Sequence, residues 1–197
     1  MGQIFTVKSI GDNAFQSCPK LSTISIPEGT ETAGSNCFRG CESLQTVTFP
    51  STIQQVGDSA LMSNNALTTV KFTPGEITVT MGNNLFAQCW KLMDLTLPTL
   101  MDRISDYMFF SSKMNYLFIP NGVTEIGGYG LRQSSMGMIV IPSSVTRIGM
   151  TALSYNLQKV YFCGTQAQWN AIQKAGNQPF LSGKTIYYIA DIQSVKI

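Results

Sequence analysis

The residues able to do chemistry in this chain of 197 are five cysteines and eleven carboxylates, and there is no histidine at all. Without histidine there is no Ser-His or Cys-His nucleophile pair, and the commonest metal ligand is missing. The cysteines, Cys18, Cys37, Cys41, Cys89 and Cys163, are odd in number and never spaced C-x-x-C, so neither a zinc cage nor a complete disulfide framework is written. They read as buried structural thiols, with a Cys18–Cys41 bridge as the alternative. Among the acids, Asp12, Asp58 and Asp106 recur with Ser35 and Asn83 at equivalent places. Stacked carboxylates could hold calcium, but Asp, Asn and Ser just before a helical turn are also the preferred N-caps. The set lapses to Gly128 and Met150, which favours caps and no metal. Asp102 and Asp106 lie four apart beside Arg103 and make no acid–base pair. Gly127 and Gly128 form a corner rather than a phosphate cradle. No catalytic residue and no cofactor is expected, and the chain does not read as an enzyme.

What positions these residues is an internal repeat, L-x-x-I-x-I-P-x-x-V-x-x-I-G-x-x-A-F-x-x-C. Its Gly place falls at Gly11, Gly34, Gly57, Gly82, Ser105, Gly127 and Gly149, at spacings of 23, 23, 25, 23, 22 and 22. Four residues later stand Phe15, Phe38, Leu61, Phe86, Phe109, Leu131 and Leu153. The Pro place holds Pro27, Pro50, Thr73, Pro98, Pro120, Pro142 and Cys163. Before each Pro the pattern alternates, with Leu44, Val47 and Phe49 inward and Thr46 and Thr48 outward, which predicts a short half-buried strand ended by the proline. A second extended piece follows, with inward pairs such as Val123 and Ile126. The Gly then turns the chain, and one helical turn carrying Ala-Phe closes the coil. A coil of about 22 residues cannot bury its apolar side alone, so neighbours must stack, seven of them over roughly 34 Å. The fourth unit, "TPGEITVTMG", has two extra residues and places Glu76 where Val is expected, which predicts a bulge.

Composition agrees with a packed array. Apolar residues make up 44% and charged residues 12%, so Ser, Thr, Asn, Gln and Gly must cover the surface. The net charge of +2 comes without a basic run, so no nucleic acid is expected. Residues 1–125 hold 7 Lys/Arg against 10 Asp/Glu, and 126–197 hold 6 against Asp191 alone, a hint of an anionic partner near the C-terminal end. No apolar run is long enough to span a membrane. No signal-peptide pattern opens the chain, whose Met-Gly reads as an added start.

The strands Leu21–Pro27 and Leu44–Pro50 and the turn Ile10–Cys18 closely resemble the BspA-like class of leucine-rich repeats. The segment Gly164, Thr165, Gln166, Ala167, Gln168, Trp169 with Ile172 is similar to the one that closes many members. The resemblance implies a right-handed, strand-rich leucine-rich-repeat solenoid of about seven coils of 22–25 residues, with residues 1–163 as the array and 164–197 as a small C-terminal α/β cap. In such repeats an inward Cys or Asn at the Cys18, Cys41, Asn64, Cys89 column satisfies backbone groups of the turn. Thr165 should cap a helix over 166–175 that Gly176 stops, Trp169 and Ile172 should cover the last coil, and "TIYYIA" should form a final strand. The N-terminus starts with half a coil and no cap, so that edge either follows missing coils or pairs with something. The class is one of bacterial surface or secreted proteins, which implies a non-catalytic binding module. Its partner would be a host or matrix protein or another surface protein, with self-association possible; a structural spacer is the other reading.

Outward strand positions lie two and four residues before each Pro place. In the first four coils they are Ser25, Thr48, Lys71, Thr96, Thr23, Thr46, Thr69 and Asp94. In the last three they include Tyr116, Phe118, Met138, Val140 and Tyr161, with Lys159. An exposed cluster of Tyr, Phe and Met marks an interaction surface, so these five are the candidate binding residues.

Overall fold

The computed structural model describes residues 6–132, 134–176, 178 and 181–190. In chain order the first four coils contribute β1 (Ser9–Ile10), β2 (Thr23–Ser25), β3 (Thr32–Ala33), β4 (Thr46–Phe49), β5 (Gln55–Val56), β6 (Thr69–Phe72), β7 (Thr80–Met81) and β8 (Asp94–Thr96). The remainder contributes β9 (Arg103–Ile104), β10 (Tyr116–Phe118), β11 (Glu125–Ile126), β12 (Met138–Pro142), β13 (Arg147–Ile148) and β14 (Lys159–Cys163). After these come the helix α1 (Gln166–Ala171), β15 (Gln173–Lys174) and β16 (Ile186–Tyr188). Every pairing is parallel and joins a strand to its equivalent one coil on. The registers are those of the repeat: Thr23 opposes Thr46, Thr46 opposes Thr69 and Thr69 opposes Asp94, while Tyr116 opposes Met138.

Inside, one continuous core runs from Ile26 to Ile172. The Phe column is internal, with Phe38, Leu61, Phe86, Phe109, Leu131 and Leu153 fully buried. Phe86 and Phe109 stack at 5.3 Å. Phe15 stacks on Phe38 at 5.4 Å but is 37% exposed, because no coil is described on its other side. The two extra residues of the fourth unit are absorbed before β7. Glu76 stays exposed and Val79, three residues on, fills the inward position.

The third side of each coil differs from the expected helical turn. It is a run of turns whose alternate N–H groups donate to the next coil: Phe38 N to Ala60 O at 2.9 Å, Phe86 N to Met108 O at 2.9 Å, Phe109 N to Gly130 O at 2.7 Å. To aim these groups along the stack, the chain enters the left-handed region at Asn13, Asn36, Ser59, Asn84, Tyr107, Tyr129 and Thr151. Asn and Ser tolerate that region. Tyrosine does so at a cost of about 1 kcal/mol, and here Tyr107 and Tyr129 stack at 4.8 Å, which offsets a comparable amount.

The C-terminal segment continues the array instead of standing apart. α1 is shorter than expected and ends at Ala171, with Thr165 and Gln168 forming a capping box. β15 and β16 then pair with β13 and β14, making an eighth coil. Trp169 and Ile172 are buried, Trp169 against Phe162 at 5.4 Å. Lys174 takes the inward place held by Ile148 one coil earlier; its Nζ donates to the carbonyls of Trp169 and Ile172, and burial lowers its pKa. The part of the expected cap that falls on 191–197 lies outside the described residues.

Both strand rows are interrupted at one step. Among the described residues no ladder joins β7 to β9 or β8 to β10, so each row is two four-stranded sheets. The turn side stays bonded there, with Asn84 N donating to Asp106 O at 3.0 Å and Gln88 N to Phe110 O at 2.8 Å.

Two outcomes test this packing. Phe86→Ala should destabilise the chain by roughly 3–5 kcal/mol in denaturant melts, as a buried aromatic; a loss under about 1 kcal/mol would contradict the internal column. All five cysteines are thiols and none is in a disulfide, and burial pushes Cys37 and Cys89 up to about 12. Native protein should therefore react slowly with a thiol reagent, half-buried Cys18 first, and unreduced denatured protein should release five equivalents.

Candidate functional site

Three sets of residues are expected to carry chemistry or binding. The carboxylate column is not a set of caps on its own turns. Each side chain accepts the backbone N–H of its counterpart one coil on: Asp12 Oδ1 from Ser35 N at 2.7 Å, Asp58 Oδ1 from Asn83 N at 2.7 Å, Asn83 Oδ1 from Asp106 N at 3.1 Å, and Asp106 Oδ1 from Gly128 N at 2.7 Å. The acceptor is provided in advance for the next corner. Among the described residues no three of His, Cys, Asp and Glu converge.

The Cys/Asn column also reaches backward. Cys41 Sγ donates to Phe15 O at 3.0 Å, Asn64 Nδ2 to Phe38 O at 2.9 Å and Cys89 Sγ to Leu61 O at 3.1 Å. The side chain thus satisfies the carbonyl of the Phe-column residue in the preceding coil, the one that the turn ladder leaves over.

The outward strand face remains. In β10, β12 and β14 the register brings Phe118, Val140 and Tyr161 into one row and Tyr116, Met138 and Lys159 into another. Four of the five expected residues present surface there: Tyr116 is 39% exposed, and Phe118, Met138 and Tyr161 are half-buried. Val140 does not. It points outward, away from the core, yet is fully buried because its ladder neighbours Phe118 and Tyr161 close over it. It is the floor of the cluster. Tyr116 packs edge-on against Phe118 at 5.7 Å. Tyr187, missed because the repeat was not carried into the eighth coil, opposes Tyr161 at 5.2 Å and is 44% exposed. Its signal was in "TIYYIA", where the first Tyr of an alternating strand shares a face with Tyr161 once the repeat is carried one coil further. Beside β10 the unbonded step leaves a cleft of about 80 Å³ whose lining includes Leu95, Tyr116 and Phe118. The same face on β2, β4 and β6 is Thr and Ser with Lys71.

For the carboxylate column, Asp58→Ala should lower stability by about 1 kcal/mol through the lost acceptor. Millimolar calcium should leave the melting temperature of the unaltered chain unchanged; a rise of several degrees would mean an ion is held.

A family model described as a BspA type leucine rich repeat region matches residues 5–79 and 79–186, in six copies. Among solved structures, the chain is similar to a leucine-rich repeat protein of T. pallidum at 20% identity and a TM-score of 0.57, over 78% of this chain and 65% of that one. One from Bacteroides ovatus ATCC 8483 is 23% identical, with a TM-score of 0.44, over 93% and 59%. The chain therefore spans less than two thirds of the length of these two structures. No curated protein sequence matches it. Six repeat copies over nearly the whole length, on a solenoid of parallel strands, place this chain in the BspA-type leucine-rich repeat family.

Proposed function

We propose that this chain is a non-catalytic binding module that engages a protein through the aromatic outward face of its last four coils. The observation that carries the reading is the contrast along one sheet face. Thr and Ser in the first coils give way to Tyr116, Phe118, Met138, Tyr161 and Tyr187 on adjacent strands, over the buried floor of Val140. Amphipathic rings held rigid by stacking are good anchors, since little side-chain freedom is lost when a partner covers them. Lys159 at the margin adds one cationic contact. Membership of a family of bacterial surface repeats supports a partner outside the cell, a host or matrix protein or another surface protein, and placement at the cell surface or in secreted form. The hydroxyl-lined first half supports the spacer reading for that half, since it offers a solvated face with nothing to grip.

The test is a solid-phase assay against purified matrix glycoproteins and the chain itself. Replacing Tyr116, Phe118 and Tyr161 together by Ser should weaken any saturable binding by well over about tenfold while the melt stays intact. A triple variant that binds as before would place the site elsewhere.

A further inference from the structure

Met93 and Trp90 are the two most exposed large apolar side chains among the described residues, at 62% and 58%. They lie three residues apart on the corner after Cys89, and Met93 also lines the cleft that holds Tyr116 and Phe118, so this corner borders the near edge of the aromatic strand face. Trp90 stands between two shallow grooves. One, of about 540 Å³, is bounded by Glu42, Asn65 and Ala66, and the other, of about 280 Å³, by Thr68, Met93 and Asn115. Lys91 and Lys113 line both grooves. Among the described residues neither lysine is in an ion pair. The carboxylates nearby are Glu42, across the larger groove, and Asp94, which follows Met93 along the chain; none lines the smaller groove.

We propose that this corner is a second docking site, for an acidic polypeptide segment that seats a large apolar side chain between Trp90 and Met93 and sets carboxylates against Lys91 and Lys113. More than half of Trp90 is exposed, beside the Met93 thioether, and it is not needed to fill the core of this coil, whose inward positions are taken by Leu85, Phe86, Cys89 and Leu92. Trp and Met are enriched where proteins meet, and Trp is among the residues that most often carry the binding energy. Two unpaired ammonium groups flanking the apolar centre select negative charge and reject positive. The smaller groove sets the indole and the thioether as an apolar seat between the two lysines, with only Thr68 and Asn115 as neutral polar lining. That offers an apolar side chain a contact and few partners to the many hydroxyls of an acidic polysaccharide, which favours a polypeptide. Trp90, Lys91 and Lys113 do not line the cleft at the edge of the aromatic strand face, and Met93 is the residue the two surfaces share, so the two sites are told apart through Trp90 and the lysines.

The experiment is selection of a random dodecapeptide phage library on the immobilised chain, followed by titration of the enriched peptides in synthetic form. The enriched peptides should combine Asp or Glu with Trp, Phe or Leu. The chain has two tryptophans, and Trp169 is buried at 6% exposure, so peptide binding should change the Trp90 emission, a signal that Trp90→Phe removes. Trp90→Ala, and separately Lys91→Glu with Lys113→Glu, should each weaken binding at least about tenfold with an unchanged melt, and added salt should weaken it further. A Tyr161→Ser, Tyr187→Ser double variant, altered on strands that line none of the grooves at this corner, should bind these peptides as the parent does. Enrichment of neutral or basic peptides, no enrichment, or affinities within about twofold of the parent in both corner variants would overturn the proposal. Loss in that double variant would assign the peptides to the aromatic face and overturn the proposal. Retention of hyaluronan that Trp90→Ala abolishes, without acidic peptides, would make the corner a polysaccharide site and overturn it as well.

Discussion

The close approach of backbone to backbone at the Gly corners is the constraint on which the array depends. A Cβ on Gly57 would stand 2.5 Å from Ser35 N and 2.7 Å from the carbonyl carbon of Gly34; on Gly149 it would stand 2.5 Å from Gly128 N and 2.7 Å from the carbonyl carbon of Gly127. No side chain survives such distances, so the corner must be glycine for coils to stack at ladder spacing. Stacking at that spacing is what lets the strand rows form, lets the Phe column close up and lets each Asp or Asn reach the next corner's N–H.

At Ser105 the rule is broken. This residue occupies the corner place without being glycine, and its hydroxyl donates to Met81 O, doing with a side chain what the backbone does at the other corners. The strands on either side of this step, β7 and β9 in one row and β8 and β10 in the other, are unpaired, while the turn side remains bonded. The same step divides the outward face, hydroxyls before it and aromatics after it, and the Trp90–Met93 corner overlooks it from the earlier side.

Much of this is legible in the residues because a repeat reports each position many times over. Seven corners, seven aromatic or leucine places and period-two strands define register well enough to oppose Tyr116 to Met138 and Val140 to Tyr161 from the pattern alone. The turn side reads wrongly as helical because Ala-Phe at that spacing suits a helix. The better clue is Asn13, Asn36, Ser59 and Asn84 at one place, residue types that tolerate the left-handed region. Val140 reads as surface because period two tells which way a side chain points and says nothing of whether its neighbours are large enough to cover it. The capping role of Asp58 is visible, but the N–H it serves is 25 residues away, a distance local pattern does not reach.

The interrupted step makes the molecule mechanically uneven. Pulled from its two ends, a stack bonded on all three sides shares the load among its ladders. Here one joint has its turn ladder, the single backbone bond from Val79 N to Leu100 O and the Ser105 hydroxyl on Met81 O, with no strand ladder in either row. Tension would open that joint first, along the hinge line through Asn84, Phe86 and Gln88, leaving two four-coil blocks each with its sheets whole. The chain is thus built to yield at a defined place, between its hydroxyl-faced half and its aromatic one.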